Sequence, residues 1–453
     1  MNERAPKRHV STTYLVMLSV GMVVGAGIFK SPSEVAAAAG NEAWLYLAWL
    51  SGGLLTLCGA LCYSELATAF PSAGGDYHFL ELAYGRRVAL FFAWTRFSVI
   101  NSGSIAFLAF VIGDYLEAVP MFQLGPGGPT FYAAASVIAL TLFNLRGTEK
   151  DESANYALTG LEVAGLILIG LSALFLVFRG VPPASVSPPA ALGRAPSSWG
   201  LAMVFVLLAF GGWSEIATLS AEVKDARRGM ARAHVISIAV ITLLYLLVNW
   251  AFLRGLGFEG LAKSTAPAAE LMARAFGDGA AVVLALAVAL AAITSINATI
   301  VVGARTTYAG ARDFAALGAL GRWDDRRGIP RAAIWAQGAM SLALVGLGAT
   351  TRNGFATLVD YTAPAFWIFM TLSGLALVVL RYKHAGVVRP FRTPLYPLTP
   401  LAFCAANVFM LWSSVTYVAS LPDRRLGVLS GALVTMLGVA LIAFVERRAR
   451  STG

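Results

Sequence analysis

The stretch VGAGIFKSPSEV, Val24 to Val35, lies inside an apolar segment that begins near Ser11. Glycine and proline are the poorest helix formers, and a lysine in hydrocarbon is costly. Gly25, Gly27, Lys30 and Pro32 within one or two turns therefore predict a helix broken partway along its length. In lipid, each orphaned backbone group costs several kcal/mol, so such a break must face protein or a water-filled cavity.

The rest of the chain supplies the membrane. Of its 453 residues 58% are hydrophobic and only 13% charged, too little polar surface for a soluble chain of this length. Apolar runs, each long enough to cross a bilayer, fall near 11–39, 43–70, 86–117, 130–147, 154–178, 199–222, 233–254, 280–308, 331–349, 355–381, 396–418 and 425–446. The expected fold is an all-α polytopic membrane protein with about twelve transmembrane helices. Two shorter segments, 75–85 and 266–277, read as amphipathic helices lying in the interfaces. The net charge of +10 is explained by lysines and arginines collecting in loops on one side of a membrane, without nucleic acid. Counted on alternate sides they divide roughly three to one, which predicts cytoplasmic N- and C-termini. Cys58, Cys62 and Cys404 lie inside apolar spans and form neither a disulfide framework nor a metal site. The first apolar run is too long for a cleavable signal and is followed by further spans.

The break has a twin. In MVFVLLAFGGWSEIATLSAEV, Met203 to Val223, Gly211 and Gly212 interrupt the sixth span and are followed by Trp213, Ser214 and Glu215. Glycine-interrupted helices five spans apart point to a 5+5 inverted repeat. The expected organisation is a tail at 1–10, a first repeat at 11–178 and a loop at 179–198. A second repeat at 199–381, two added spans within 382–446 and a tail at 447–453 follow. Unwinding at Gly25–Phe29 and Phe210–Ser214 frees N–H groups that suit a carboxylate and carbonyls that suit an ammonium. Pro32 is read as starting the second half-helix, where its missing N–H does no harm. Together the two breaks fit an amino acid zwitterion.

With these motifs assembled, the chain resembles the amino acid permeases of the amino acid–polyamine–organocation superfamily. It is most like the L-type amino acid transporter branch and its bacterial relatives. GAGIFKSP, YSELATAFPSAGGDY (63–77), AFGGWSEIATLSAEVKDARRGMARA (209–233), SINATIVVGARTTYAGARD (295–313), DYTAPAFWIFMTLSGLALVVLR (360–381) and RPFRTPLYPLTP carry the likeness. It implies alternating access around a broken-helix core. It also implies a carboxylate on the amides around Gly25, Ala26 and Gly27, and an amino group on carbonyls near Phe210, Gly211 and Ile28. Gly212, Trp213 and Ser214 complete the expected substrate-binding set, with Trp213 as an aromatic gate. The fifth span departs from the resemblance: NYALTGLEVAGL, Asn155 to Leu166, has Glu162 where many bacterial relatives have a lysine facing the first break. A carboxylate there could carry a proton, bind a cation or pair with Lys30.

Glu162 and Glu215 are thus the coupling candidates, since intramembrane carboxylates are expensive. Lys30, Glu65, Arg96, Asn297, Asp360 and Tyr361 are gating or structural candidates: Lys30 and Arg96 as pairing partners, Asn297 as a bridge between helices, Glu65 at an inner gate. EVKDARRG (222–229) reads as a solvated charge ladder. No Walker pattern, metal cluster, cofactor motif or nucleophile constellation is present, so no enzyme is read. The expectation is a secondary transporter of amino acids, neutral L-amino acids first, with proton coupling through Glu162. Obligate exchange, and cationic amino acid or polyamine transport, stay open. A channel lacks a symmetric filter, and an amino acid sensor lacks a signalling domain. The L-type transporters of animals join a single-span partner through a cysteine between spans three and four. The loop 118–129 has none, so that heavy chain is not implied. The expected setting is a lipid bilayer, the inner membrane of a bacterium.

Overall fold

A computed structural model describes residues 11–72, 74–147, 152–184, 199–223, 229–312, 318–418 and 424–451. The expected tail at 1–10, most of the 179–198 loop and the centre of the 222–229 ladder lie outside the described residues.

The described chain is helical, with one isolated bridge between Asp324 and Ile329. The helices are α1 (Thr12–Val23), α2 (Gly27–Ala39), α3 (Glu42–Ala69), α4 (Asp76–Tyr84) and α5 (Arg86–Thr95). A π-turn, Arg96–Asn101, joins α5 to α6 (Ser102–Glu117), and α7 (Gly128–Asn144) and α8 (Glu152–Phe178) follow. The second half holds α9 (Trp199–Ala209), a 3-10 helix (Trp213–Glu222), α10 (Gly229–Lys263), α11 (Pro267–Phe276) and α12 (Asp278–Arg312). It closes with α13 (Arg331–Ala349), α14 (Gly354–Lys383), α15 (Leu398–Ser413) and α16 (Arg425–Ser451).

Among the described residues nine helical spans are long and apolar enough to cross a membrane alone. The pairs α1/α2 and α9/3-10 are bent by 54° and 41°, and each makes one broken span. That gives eleven. The expected fourth span is α7, which at 17 residues and about 26 Å is short but still within the range that spans hydrocarbon.

The broken spans are the first and sixth in order, so they run in opposite directions. Below, the near face is the one from which α1 starts, and the far face is the other. α1 reaches the centre from the near face and α9 from the far face. α2 and the 3-10 helix complete the two crossings. α10 packs along α3, α1, α2 and α8 and also touches the 3-10 helix, so it contacts both broken spans. α2 is enclosed on nearly every side, with Ile28 through Ser33 all buried, so its start is wrapped by protein rather than lipid. The segments expected to lie in the interfaces each pack one face on the body. α4 buries Asp76, Phe79, Leu80 and Ala83, and α11 buries Ala268, Ala269, Leu271 and Met272.

The first break is shorter than expected. Helix ends at Val23 and resumes at Gly27, leaving Val24 to Ala26 rather than Gly25 to Phe29. Pro32 therefore sits inside α2, not at its start. Its cost there is the hydrogen bond that the carbonyl of Ile28 would accept from an amide at position 32. The second break is also tighter: Trp213 already begins the 3-10 helix.

Candidate functional site

At the end of α1, Val24 N–H donates to Val20 O (2.7 Å) and Gly25 N–H to Val23 O (2.8 Å). Ile28 N–H reaches Gly25 O at 3.4 Å and Phe29 N–H reaches Ala26 O at 3.2 Å, which starts α2. The amides of Ala26 and Gly27 have no acceptor among the described residues. A Cβ placed on Gly27 would meet nothing within 4 Å, so open space lies beside this turn. Unpaired amides at a helix N-terminus beside open space make an anion site in outline.

The second break supplies the opposite polarity. Gly211 N–H donates to Leu208 O (2.9 Å), and Glu215 N–H to Gly212 O (3.1 Å). The carbonyls of Phe210 and Gly211 have no donor among the described residues. Gly212 has φ +108°, which favours glycine, and a Cβ there would lie 2.5 Å from the carbonyl oxygen of Met22. The two breaks thus meet, and Gly212 is what lets them.

Tyr245 of α10 ties them together. Its hydroxyl lies 3.0 Å from Val23 O and 2.8 Å from Ala209 O, the last helical carbonyls of α1 and α9. One hydroxyl proton serves one carbonyl at a time, so acceptor capacity is left at this point. Trp49 and Phe210 pack around the Tyr245 ring at centroid distances of 5.3 and 5.0 Å. Trp213 is buried away from this cluster, edge-on to Tyr63 (4.9 Å) and beside Phe403 (6.2 Å).

The charged candidates separate into pairs. Lys30 is 3% exposed. Its Nζ lies 2.8 Å from Asp114 Oδ2 and donates to Thr265 O at 2.8 Å. The alternative of a Lys30–Glu162 pair is not what forms. Arg96 Nη2 lies 2.6 Å from Glu215 Oε1. Glu65 is fully buried on the near side, held by Arg381 (2.8 and 2.6 Å), Arg389 (3.4 Å) and the amide of Thr393 (2.6 Å). Asp360 forms a two-bond pair with Arg424 (2.8 and 3.1 Å), and Tyr361 donates to Ser98 O (3.0 Å). Asn297 accepts from Asn144 (2.7 Å) and links α12 to α7.

Glu162 differs from all of these. It is 7% exposed, and among the described residues no basic side chain pairs with it. Thr294 Oγ1 lies 3.4 Å away, but its proton is engaged at 2.8 Å by Ala291 O. The cleft around the carboxyl is formed by Phe29, Gly165, Leu284, Val288 and Ala291, directly beside the first turn of α2.

Several participants had little sequence signal. Asp114, an acid within an apolar run, was findable as a partner for Lys30. Tyr245 in LLYLLVNW looks like any aromatic in a span, and His234 follows a basic loop and reads as part of it.

Two helical crossings, each interrupted partway along its length and running in opposite directions, with unpaired amides at one break and unpaired carbonyls at the other, are the architecture expected of a transporter. The chain belongs to the amino acid permease family, which it matches over residues 10–442. It is a transporter and not an enzyme. It is 26% identical over 408 residues to mouse b(0,+)-type amino acid transporter 1, covering 88% of this chain and 81% of that one. It is 24% identical over 415 residues to the serine/threonine exchanger SteT of Bacillus subtilis, covering 90% and 91%. With human large neutral amino acids transporter small subunit 2 it shares 26% over 418 residues, covering 90% and 77%.

Proposed function

We propose that the chain moves amino acids across a bilayer by alternating access, with the zwitterion bound between the two breaks. The observation that carries this reading is the pair of unengaged amides at Ala26 and Gly27, beside open space, together with the unengaged carbonyls of Phe210 and Gly211 next to the Gly212 that packs against Met22. The amides take the carboxylate with the positive end of α2. The carbonyls of Phe210 and Gly211, with those closing α1, take the ammonium. Ile28 contributes less than its neighbours, because carbonyls point toward a helix C-terminus and so away from this break. Neutral L-amino acids fit best: Lys30, Arg96 and Glu215 are already committed to partners, and Phe210, Trp49 and Tyr245 line the region with rings.

Glu162 carries the coupling proton in this reading. A lone carboxylate among apolar walls is costly in its charged form, and it adjoins Phe29, so its charge state bears on the start of α2. Spans one to five and six to ten form the inverted repeats, with α15 and α16 added. The near face is cytoplasmic, in a bacterial inner membrane, and no disulfide-linked heavy chain is required.

Lys30 belongs to the gate on the far face. Besides its ion pair with Asp114, the neighbouring Tyr115 donates to Phe29 O (2.7 Å) and receives the amide of Ala268 (3.4 Å). Asn353 donates to Glu34 (2.7 Å) at the same end. These bonds hold α2 against α6, α11 and α14, and opening to the far side must break them. Glu65 with its arginines braces the near side.

Uptake of a labelled amino-acid panel into proteoliposomes, with empty or amino-acid-filled lumen and with or without an inward proton gradient, tests this. Gradient-driven uptake into empty vesicles is expected. Uptake that requires luminal amino acid supports exchange instead and makes Glu162 structural. Uptake of polyamines with no amino acid transported would refute the zwitterion site.

A further inference from the structure

His234, in the second turn of α10, is fully buried and has no part in the account so far. Its Nε2 lies 3.3 Å from the carbonyl oxygen of Trp213, and its Nδ1 lies 2.8 Å from Ser64 Oγ. A carbonyl only accepts, so the Nε2 facing it carries the proton. In the neutral ring Nδ1 then accepts from the Ser64 hydroxyl, whose one proton has two acceptors at 2.8 Å, this nitrogen and Ala60 O, and is shared between them. This arrangement satisfies both nitrogens without burying a charge, and it fixes the tautomer from the α3 side.

The residue it holds is the one that matters. Trp213 is the first residue of the 3-10 helix and follows Gly212, whose left-handed backbone turns the carbonyls of Phe210 and Gly211 out of helical pairing. The Trp213 ring is edge-on to the imidazole at 6.0 Å. The same turn of α10 also touches α1: Ser237 donates to His234 O (3.1 Å), and Ser19 donates to Ser237 Oγ (3.0 Å). One helical turn thus grips the near-side pieces of both broken spans.

We propose that His234 is a positioning residue for substrate binding: through the Trp213 carbonyl it fixes the second break so that the Phe210 and Gly211 carbonyls stay turned toward the ammonium. This rests on the reading that the breaks bind the zwitterion. A single hydrogen bond of ordinary net strength corresponds to about a tenfold change in an equilibrium constant.

The test compares His234→Phe, His234→Gln and Ser64→Ala by uptake KM, maximal rate and thermal midpoint in the intact protein, with Gly27→Ala as the reference. His234→Phe keeps a ring and loses both bonds, and its KM is expected to rise about tenfold. His234→Gln can donate to Trp213 O and accept from Ser64, and its KM is expected within about threefold of the parent. Ser64→Ala releases the tautomer and is expected to raise KM without lowering the midpoint, which keeps the test alive should His234→Phe not fold. A raised KM for Gly27→Ala with an unchanged KM for His234→Phe or Ser64→Ala overturns the role of His234 and leaves the break site standing. His234→Gln as impaired as His234→Phe also overturns it, since packing alone would then explain the loss. An unchanged KM for Gly27→Ala overturns the break site and this inference with it.

Discussion

Removing Asp114 should destabilise the protein far more than removing the whole ion pair. Lys30 is 3% exposed and its ammonium has two partners, Asp114 Oδ2 at 2.8 Å and Thr265 O at 2.8 Å. In Asp114→Leu the ammonium keeps only the carbonyl, and an uncompensated buried charge costs about 3–5 kcal/mol. The remaining hydrogen bond places the loss near the lower end, about 3 kcal/mol. Lys30→Met with Asp114→Leu removes both charges, keeps most of the volume, and should come within about 1 kcal/mol of the parent. The double variant should therefore be about 2 kcal/mol more stable than Asp114→Leu, and the Lys30→Met single variant, which strands the carboxylate instead, completes the cycle. Unfolding by titration with SDS in mixed micelles reads all four proteins. The double variant should also loosen the far-face closure, so that a thiol introduced at Ser33 reacts with a membrane-impermeant reagent more readily than in the parent. A cost below about 1 kcal/mol for Asp114→Leu, or a double variant as unstable as the single, would refute the pairing and its gating role.

Other substitutions separate the parts of the site. Gly212→Ala forces a Cβ to 2.5 Å from Met22 O at φ +108°, and folded yield and thermal midpoint should both fall, by at least about 2 kcal/mol. Gly27→Ala meets no protein atom within 4 Å, so the midpoint should hold while uptake KM rises. Glu162→Gln should abolish the effect of a proton gradient on uptake while substrate binding persists; an unchanged pH response would remove Glu162 from coupling. Glu65→Ala strands Arg381 and Arg389 and leaves the Thr393 amide without its acceptor, and should cost about 3–5 kcal/mol in the same SDS titration.

The elements legible in the sequence are those fixed by local composition. Long apolar runs mark the spans, and Gly25–Gly27 and Gly211–Gly212 mark the breaks because polar or helix-breaking residues follow them, Lys30 and Pro32 in one and Ser214 and Glu215 in the other, whereas Gly52–Gly53 has no such sequel and lies inside the unbroken α3. The lengths of the breaks were less legible. A helix restarts as soon as its backbone can pair, and α2 resumes at Gly27 and runs through Pro32 because the enclosing helices stabilise a proline-containing segment that propensity alone would end. Partner identity was the least visible part. Lys30 and Asp114 lie 84 positions apart, and Arg96 and Glu215 are separated by 119. Such pairs are set by helix packing and leave no trace in spacing. The same holds for Tyr245 and His234, whose roles come from which carbonyls end up beside them.

The central claim is that one molecule's carboxylate and amine are held together by the two breaks. Competition against uptake of a labelled neutral amino acid tests it directly, using the unlabelled amino acid, its amide, and the matching acid without the amine. The account predicts that only the intact zwitterion competes, with each analogue weaker by at least about a hundredfold, because each leaves one set of buried backbone groups unpaired. An amide or a deaminated acid that competes as well as the amino acid would contradict it.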